Sequence, residues 1–246
     1  MDSVKRVCLW SGPRNISTAL MYAFAQRNDT AVFDEPLYAY YLKQHPKAIS
    51  YHPGAQDILK TMENDGDKVV DMMLNTTKKP VLFFKHMTHH LLDLDRSFLK
   101  QTKNVILTRN PREMLPSFHK VIENPTIDDV GYALHLELLH YFLQHNIPFT
   151  VIDSKNVLVN PEQTLNSLCK WIAIPFDKNM LSWQPQQRKE DGIWAKYWYD
   201  SVHKSSGFHR YMPKTDDFPT VLQPLLKECI PYYNKLMEYS VELLKE

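Results

Sequence analysis

The sequence contains no long apolar run. Nowhere in its 246 residues is there a stretch of about 18 apolar residues, the length that a membrane-spanning helix requires. The apolar stretch near the N-terminus is only a few residues long before it meets Ser11, which is too short for the apolar region of a secretory signal. We therefore expect neither a membrane span nor a signal peptide.

Cysteine is scarce as well. The three cysteines are Cys8, Cys169 and Cys229, and they lie too far apart for the spacing of a metal site or of a disulfide framework. Cys8 falls in an apolar run and Cys169 in a predicted helix. We expect buried free thiols and a reducing, cytoplasmic setting.

An excess of charge of either sign is also missing. The chain has 29 Lys and Arg residues against 28 Asp and Glu residues, a formal net charge of +1. Proteins that bind nucleic acids or heavily sulfated polysaccharides usually present a broad basic face. We therefore expect no nucleic-acid partner and no membrane partner, and we expect any cationic site to be local.

Glycine is scarce too, at six residues, and only Gly12 lies in the first thirty residues. Residues 4–10 are an apolar run typical of a buried strand, residues 11–18 form a polar break, and residues 19–26 are rich in helix formers. Strand, turn and helix in this order form the geometry of an anion-binding loop, because the first N–H groups of the helix lack intrahelical partners. Arg14 adds a fixed positive charge to that loop.

The loop does not follow the Walker pattern. That pattern requires a second glycine and a lysine before a Ser or Thr, and residues 11–18 hold neither. Ser17 and Thr18 supply hydroxyl donors at the predicted helix start. Two interpretations remain from the residues alone: an anion-binding loop of another kind, or a plain strand–turn–helix with a solvated Arg14.

Strands alternate with helices along the chain, which predicts a single domain over 1–246 with a mainly parallel sheet and helices on both faces. The predicted strands are residues 4–10, 31–33, 81–84, 104–108 and 149–153. The predicted helices are residues 19–26, 55–63, 67–75, 90–100, 127–145, 161–173 and 219–245, with a further helix from Pro111. Asn110 and Asn160 each precede a proline and are suited to cap a helix.

A second candidate anion site follows the fourth predicted strand. Arg109 ends that strand, and Ser117 lies eight residues later on the next helix, just after Pro116. A guanidinium can donate two hydrogen bonds to a phosphate, and a serine hydroxyl can add a third donor. Pro116 is unusual inside a helix, and a kink there would turn Ser117 inward. The alternative for Arg109 is a salt bridge at the strand end.

Together these two motifs resemble the sulfotransferase superfamily. Residues 13–18 resemble its 5′-phosphosulfate loop, although Asn15 replaces the usual Ser and Ile16 the usual Gly, and the Arg109–Ser117 spacing closely resembles its 3′-phosphate motif. The chain is most similar to short bacterial-type sulfotransferase-like proteins, often labelled branched-chain aminotransferase-like. The resemblance implies a three-layer P-loop-type fold with about five strands. It also implies 3′-phosphoadenosine-5′-phosphosulfate as donor, adenosine 3′,5′-bisphosphate as product, and no metal.

The resemblance also implies roles for individual residues. The 5′-phosphosulfate would be held by Arg14, Asn15, Ile16, Ser17 and Thr18. The 3′-phosphate would be held by Arg109 and Ser117, with a C-terminal segment whose best counterpart here is His203, Lys204 and Ser205; the alternative for that segment is a solvated loop. The ring that stacks on adenine in many members is replaced by Ala19, so Trp194 or Trp198 would have to serve.

The general base has two candidates. Glu35 follows the second strand, where some relatives carry a catalytic Glu, although Asp34 or Glu35 could equally cap the turn before Pro36. His86 is the alternative, because relatives carry Lys-x-His after the third strand; here Lys85 is present but Met87 fills the His position. Lys85 would contact the sulfuryl group. A metal site at His86, His89 and His90 is disfavoured, since the motif lacks a Glu and an evident third ligand.

The function predicted from this resemblance is in-line transfer of a sulfuryl group to a hydroxyl or amine of a small molecule, with Tyr38, Tyr41 and Trp194 lining the acceptor pocket. One rival is a catalytically silent regulatory domain that binds the nucleotide, which Met87 favours. Another is a phosphotransferase, which would need a Mg²⁺ site and a Walker lysine. An aminotransferase is not supported, because no pyridoxal-type lysine and phosphate-cup pattern is present. The acceptor and the oligomeric state remain open.

Overall fold

A five-stranded sheet forms the centre of the computed structural model, which describes residues 4–213 and 217–240. Its order is β2-β3-β1-β4-β5, and every neighbouring pair is parallel. The strands are β1 (Lys5–Ser11), β2 (Thr30–Asp34), β3 (Val81–Met87), β4 (Lys103–Thr108) and β5 (Phe149–Asp153). Parallel sheets are covered on both faces, which accounts for the apolar runs in these strands.

The α-helices connect the strands and cover both faces of the sheet. They are α1 (Ser17–Ala25), α2 (Tyr38–Gln44), α3 (Ala55–Thr61), α4 (Gly66–Asn75), α5 (Pro111–His119), α6 (Ile127–Val130), α7 (Tyr132–Gln144), α8 (Ser154–Val159), α9 (Pro161–Ile172), α10 (Ala195–Trp198), α11 (Asp200–His203) and α12 (Gln223–Met237). Asn110 and Asn160 cap α5 and α9 as predicted, each accepting a hydrogen bond from a backbone N–H of the first turn.

The core consists of two apolar layers, one on each face of the sheet. Alternate side chains of β1 point to opposite faces: Val7 and Leu9 pack with α1 and α9, whereas Cys8 and Trp10 pack with α4 and α7. Helix, sheet and helix therefore form the three layers of a P-loop-type α/β fold. The predicted fold class is confirmed.

Residues 127–145, predicted as one helix, form two. Gly131 adopts a left-handed conformation with φ of 77° and ends α6 before α7 begins. Glycine takes this conformation without the steric cost that a Cβ would bring, so it commonly ends helices.

The predicted α-helix at residues 90–100 is wrong. Two 3₁₀ segments, Thr88–His90 and Arg96–Gln101, occupy this region instead. Leu92 lies in the left-handed region with φ of 39°, and the side chain of Asp95 accepts a hydrogen bond from the backbone N–H of Ser97, which starts a new turn. Helices α2 and α8 were not predicted. The predicted helix at residues 219–245 begins with a 3₁₀ turn, Thr220–Leu222, and its residues 241–245 lie outside the described part of the chain.

The structure shows the lengths of the helices and the surroundings of the three cysteines. None of the helices in residues 4–213 and 217–240 is long and apolar enough to cross a membrane. Cys8, Cys169 and Cys229 are free and buried. Burial raises the pKa of the Cys8 thiol to about 12, so this thiol stays protonated at neutral pH.

Candidate active site

A cleft of about 830 Å³ opens at the carboxyl ends of the strands. β1 lies between β3 and β4 at this edge. After β1 the chain continues to β2 on one side of the sheet, whereas after β4 it continues to β5 on the other side. Crevices at such points of parallel sheets are the usual ligand sites of these folds. The volume is that of a site for a small molecule or cofactor.

The loop between β1 and α1 forms one wall of the cleft in a strained conformation. Arg14 and Ile16 both lie in the left-handed region, with φ of 58° and 61°. A β-branched residue such as Ile is an outlier there. Gly12 is required by close packing, since a Cβ at that position would lie 2.9 Å from the carbonyl oxygen of Val130. Strain of this kind is concentrated at functional sites.

Asn15 and Ser154 hold this loop on the sheet. Asn15 is buried, and its Nδ2 donates a hydrogen bond to the carbonyl oxygen of Leu107 on β4 at 3.2 Å. The hydroxyl of Ser154, the first residue of α8, lies 2.9 Å from the carbonyl oxygen of Asn15 and 2.9 Å from that of Thr108. Asn15 therefore anchors the loop through its side chain. The contribution of Ser154 was not predicted.

The N-terminus of α1 lines the cleft. Ile16 precedes the helix and provides no side-chain cap, while Ser17 and Thr18 both line the cleft. The first N–H groups of a helix without a side-chain cap carry partial positive charge, which the helix dipole increases. This end of the cleft is suited to an anion.

Two arginines, Arg14 and Arg109, line this end of the cleft. Nη1 of Arg109 donates a hydrogen bond to the carbonyl oxygen of Arg14 at 3.0 Å, and Nε of Arg14 lies 3.2 Å from Oγ of Ser117. Partial desolvation, and then the nearby charge of Arg109, lower the pKa of Arg14, although Arg14 is exposed at the cleft mouth. Glu113 lies 3.5 Å from Nε of Arg109 and offsets part of this charge. The structure therefore brings Arg14, Arg109 and Ser117 together.

A buried charged cluster lies at the ends of β2 and β3. Nζ of Lys85 donates hydrogen bonds to Oδ1 of Asp34 at 2.9 Å, to the hydroxyl of Tyr199 at 2.8 Å, and to Oε1 of Glu35. The Tyr199 hydroxyl also accepts a hydrogen bond from the indole N–H of Trp194 at 3.2 Å. Asp34 therefore does not cap the turn before Pro36; it takes part in this cluster.

Glu35 and Lys85 line the cleft. Burial raises the pKa of Glu35 above its usual range, the charge of Lys85 opposes the shift, and the charge of Asp34 adds to it. The charges of Asp34 and Glu35 raise the pKa of Lys85 well above its ordinary value, despite burial, so Lys85 stays cationic. A carboxyl group with a raised pKa is suited to accept a proton near neutral pH.

Aromatic rings form the wall next to Glu35. The predicted acceptor residues Tyr38, Tyr41 and Trp194 all line the cleft. The His90 ring stacks against the rings of both Tyr38 and Tyr41, with centroid distances of 4.8 and 4.9 Å, and its Nδ1 lies 4.0 Å from Oε2 of Glu35. Burial lowers the pKa of His90 well below its usual value, so its ring is neutral. The position of His90 beside Glu35 was not predicted.

The structure places His86 outside the cleft, which counts against His86 as the general base. His86 is fully buried on the opposite face of β3 from Lys85, stacked on Trp10 with ring centroids 4.3 Å apart. The reason is the alternation of side chains along a strand, since β3 extends to Met87. Burial and the charge of Lys85 lower the pKa of His86 to about 3.

The third predicted anion-binding segment is only partly at the site. Ser205 lines the cleft, but its hydroxyl accepts a hydrogen bond from the indole N–H of Trp183 at 3.1 Å. His203 bonds to Asp191 at 2.9 Å, and the exposed Lys204 pairs with Asp200 at 2.8 Å; neither side chain lines the cleft. The structure therefore does not bring His203 or Lys204 into the cleft with Arg109 and Ser117. His203 ends α11 and Lys204 follows it, and each side chain pairs with an aspartate instead.

The fold and the cleft define an α/β protein of the P-loop type. Residues 5–239 match the family model described as the sulfotransferase domain, and the chain belongs to that family. This membership supports a sulfotransferase-type function and confirms the predicted family.

Two curated relatives come from Arabidopsis thaliana. The chain is 40% identical over 240 residues to "Branched-chain-amino-acid aminotransferase-like protein 2", covering 96% of this chain and 42% of the relative. It is 39% identical over 233 residues to "Branched-chain-amino-acid aminotransferase-like protein 1", covering 94% of this chain and 41% of the relative. The chain thus spans about two fifths of the length of these relatives.

Two solved structures share the fold. A sulfotransferase from Alicyclobacillus acidocaldarius aligns with a TM-score of 0.54 at 11% identity, covering 96% of each chain. The sulfotransferase domain of the Synechococcus PCC 7002 olefin synthase aligns with a TM-score of 0.52 at 13% identity, covering 92% of this chain and 95% of the other.

Proposed function

We propose that this chain is a sulfotransferase that moves the sulfuryl group of 3′-phosphoadenosine-5′-phosphosulfate to a hydroxyl or amine of a small molecule. One observation carries the proposal. A single cleft of the sulfotransferase fold is lined by two arginines, Arg14 and Arg109, together with a buried pair, Glu35 and Lys85. This arrangement supplies an anion site and a proton acceptor for one reaction.

The anion end fits the donor nucleotide. Arg14, with the N–H groups of residues 15–18, would hold the 5′-phosphosulfate, and Arg109 with Ser117 would hold the 3′-phosphate. Partial burial and then the charge of Arg109 lower the pKa of Arg14, and a bound anion would favour its cationic form. Trp198 and Phe208 are half-buried rings in the cleft that can stack on adenine, whereas Trp194 is 2% exposed.

Glu35 is the general base of the proposed reaction. As the acceptor oxygen bonds to sulfur, its proton passes to Glu35, and the electron pair of the broken sulfur–oxygen bond stays on the 5′-phosphate oxygen. Arg14 stabilises the charge that grows on that oxygen. The protein thus contributes positioning of the reactants, positive charge and a general base, as proteins do in phosphoryl transfer.

A thermal shift comparison tests donor binding. Adenosine 3′,5′-bisphosphate at 100 times its Kd should stabilise the protein by about 2.7 kcal/mol. For a chain of this size we expect a rise in Tm of about 5–10 °C. Mg-ATP at the same concentration should produce a smaller shift. A preference for Mg-ATP would contradict the proposal and favour a phosphotransferase.

Transfer of labelled sulfate then separates an enzyme from a silent binding domain. Wild-type protein with labelled donor and a pool of metabolites should produce a labelled product, and Glu35→Gln should lower the rate by about 10²-fold or more. Binding of the bisphosphate without any transfer would identify a regulatory domain instead.

A further inference from the structure

All three hydrogens of the Lys85 ammonium group are used in hydrogen bonds within the protein. Three acceptors surround the group: Oδ1 of Asp34, Oε1 of Glu35 and the hydroxyl of Tyr199. Lys85 can therefore donate to a sulfuryl oxygen only after it gives up one of these partners. Which partner it releases decides how the cluster works during the reaction that we propose above, and this inference depends on that proposed function.

The two carboxylates differ in how firmly they are held. Asp34 accepts from Nζ of Lys85 at 2.9 Å and from the backbone N–H of Gly192 at 3.0 Å. The Tyr199 hydroxyl lies 2.9 and 2.8 Å from its two oxygens. Donors thus face both oxygens of Asp34. Lys85, Gly192 and Tyr199 hold this side chain from three sides.

Glu35 is held on one side by Lys85, through Oε1. Its Oε2 lies 4.0 Å from Nδ1 of His90, beyond hydrogen-bond distance, and Nδ1 of His90 is buried without a partner. Glu35 lines the cleft and Asp34 does not. A proton from the acceptor therefore reaches Glu35, and the protonated Glu35 loses its charge attraction to Lys85.

We propose that Asp34 is a positioning residue that keeps Lys85 anchored while Lys85 exchanges Glu35 for the sulfuryl oxygen. The acceptor O–H bond breaks and its proton goes to Glu35. The acceptor oxygen bonds to sulfur, and the bond from sulfur to the phosphate oxygen breaks with its electron pair on that oxygen. Lys85 keeps all three protons throughout and redirects one of them. Proton transfer and charge stabilisation are coupled in this way.

Five groups face Glu35 and bear on its titration. They are Lys85 on β3, Asp34 on β2, His90 after β3, Tyr38 on α2, and Tyr199 between α10 and α11. His90, Tyr38 and Tyr199 are neutral near pH 7, because burial lowers the pKa of the histidine and raises the pKa of each tyrosine. Lys85 and Asp34 are thus the charges that set the proton affinity of Glu35.

Carboxyl ¹³C NMR of the wild-type chain between pH 4 and 9 tests the charge assignment directly. The Glu35 signal should titrate above the ordinary range of a glutamate. A Glu35 signal that titrates within or below that ordinary range would overturn the inference. This measurement needs no variant that must fold.

Kinetics of Asp34→Asn test the positioning role. Without the charge of Asp34, Glu35 is the remaining anion beside Lys85 and its proton affinity falls. We expect the acidic limb of the pH profile of kcat/KM to move to lower pH. The value of kcat should fall about tenfold or more, and KM for the donor should stay unchanged. Tyr199→Phe is the matched control: it disturbs the same buried cluster but leaves the charge of Asp34, so the acidic limb should stay in place.

The outcomes separate this inference from the proposed function. An active wild type whose acidic limb is the same in Asp34→Asn and Tyr199→Phe overturns the role of Asp34 alone. A wild-type protein that transfers no sulfuryl group overturns the proposed function. It also overturns the exchange of hydrogen-bond partners by Lys85, whatever the NMR titration shows.

Discussion

Replacing Lys85 with Met should destabilise the protein and make its stability more dependent on pH. The substitution leaves the carboxylates of Asp34 and Glu35 buried beside each other without their countercharge. Breaking a buried ion pair by removing one partner costs about 3–5 kcal/mol. Tyr199 and Gly192 still donate to Asp34, so we expect a loss of about 3 kcal/mol at pH 7, or about 6–12 °C in Tm.

The pH dependence follows from the raised pKa of Glu35. Burial raises this pKa and Lys85 opposes the rise, so the variant should have a still higher pKa for Glu35 in the folded state. An unfolded Glu titrates near pH 4.3. Because the folded variant keeps its proton to higher pH, its stability should fall as pH rises from about 4.3 through the raised pKa. A tenfold increase in the proton affinity of folded Glu35 costs about 1.36 kcal/mol of stability at pH values above its pKa.

Urea unfolding of both proteins between pH 5 and 8 measures this effect. The deficit of Lys85→Met should be smallest at pH 5 and should grow toward pH 8. Lys204→Met, which removes an exposed lysine paired with Asp200, should unfold at the wild-type urea concentration throughout. A Lys85→Met protein as stable as the wild type at pH 7, or a deficit that is constant with pH, would refute this account of the cluster.

Three further substitutions test separate parts of the structure. Arg109→Ala should weaken binding of adenosine 3′,5′-bisphosphate, measured by calorimetry, about 10- to 100-fold and should weaken pyrophosphate binding less. Replacement of the exposed Arg112 with Ala should change the binding of neither ligand. Equal losses for both ligands in Arg109→Ala would contradict a 3′-phosphate role. His86→Phe removes two buried nitrogens without partners, so Tm should be equal or higher and the bisphosphate shift unchanged; loss of that shift would contradict the placement of His86. Gly131→Ala should cost about 1–2 kcal/mol in urea unfolding because φ is 77°, and no loss would mean that the helix break is not constrained there.

The sheet and the anion end could be predicted from the sequence because their signals are local. Apolar runs marked the five strands, and parallel strands place their carboxyl ends at one edge, which is why Arg14 and Arg109 were expected in one cleft. The position of His86 follows from the extent of β3. Neighbouring side chains of a strand point to opposite faces, and β3 continues to Met87, so Lys85 and His86 face opposite sides of the sheet.

The buried cluster could not be predicted because its members are far apart in sequence. Tyr199 meets Asp34 across 165 positions, and the segment that carries it showed no periodic pattern. The left-handed conformation of Ile16 is equally hidden, since a β-branched residue there contradicts local preference and only the packing of the whole loop can hold it. His203 and Lys204 were assigned by resemblance, and in the structure they pair with Asp191 and Asp200 and do not line the cleft.

The most direct test of the central claim is transfer of labelled sulfate from 3′-phosphoadenosine-5′-phosphosulfate to acceptors in a metabolite extract. The account predicts a labelled small-molecule product with the wild-type chain, formed about 10²-fold or more slowly with Glu35→Gln although the bisphosphate still binds. Equal rates for the two proteins would contradict the role of Glu35. A wild type that binds the bisphosphate and forms no product would contradict the enzyme itself.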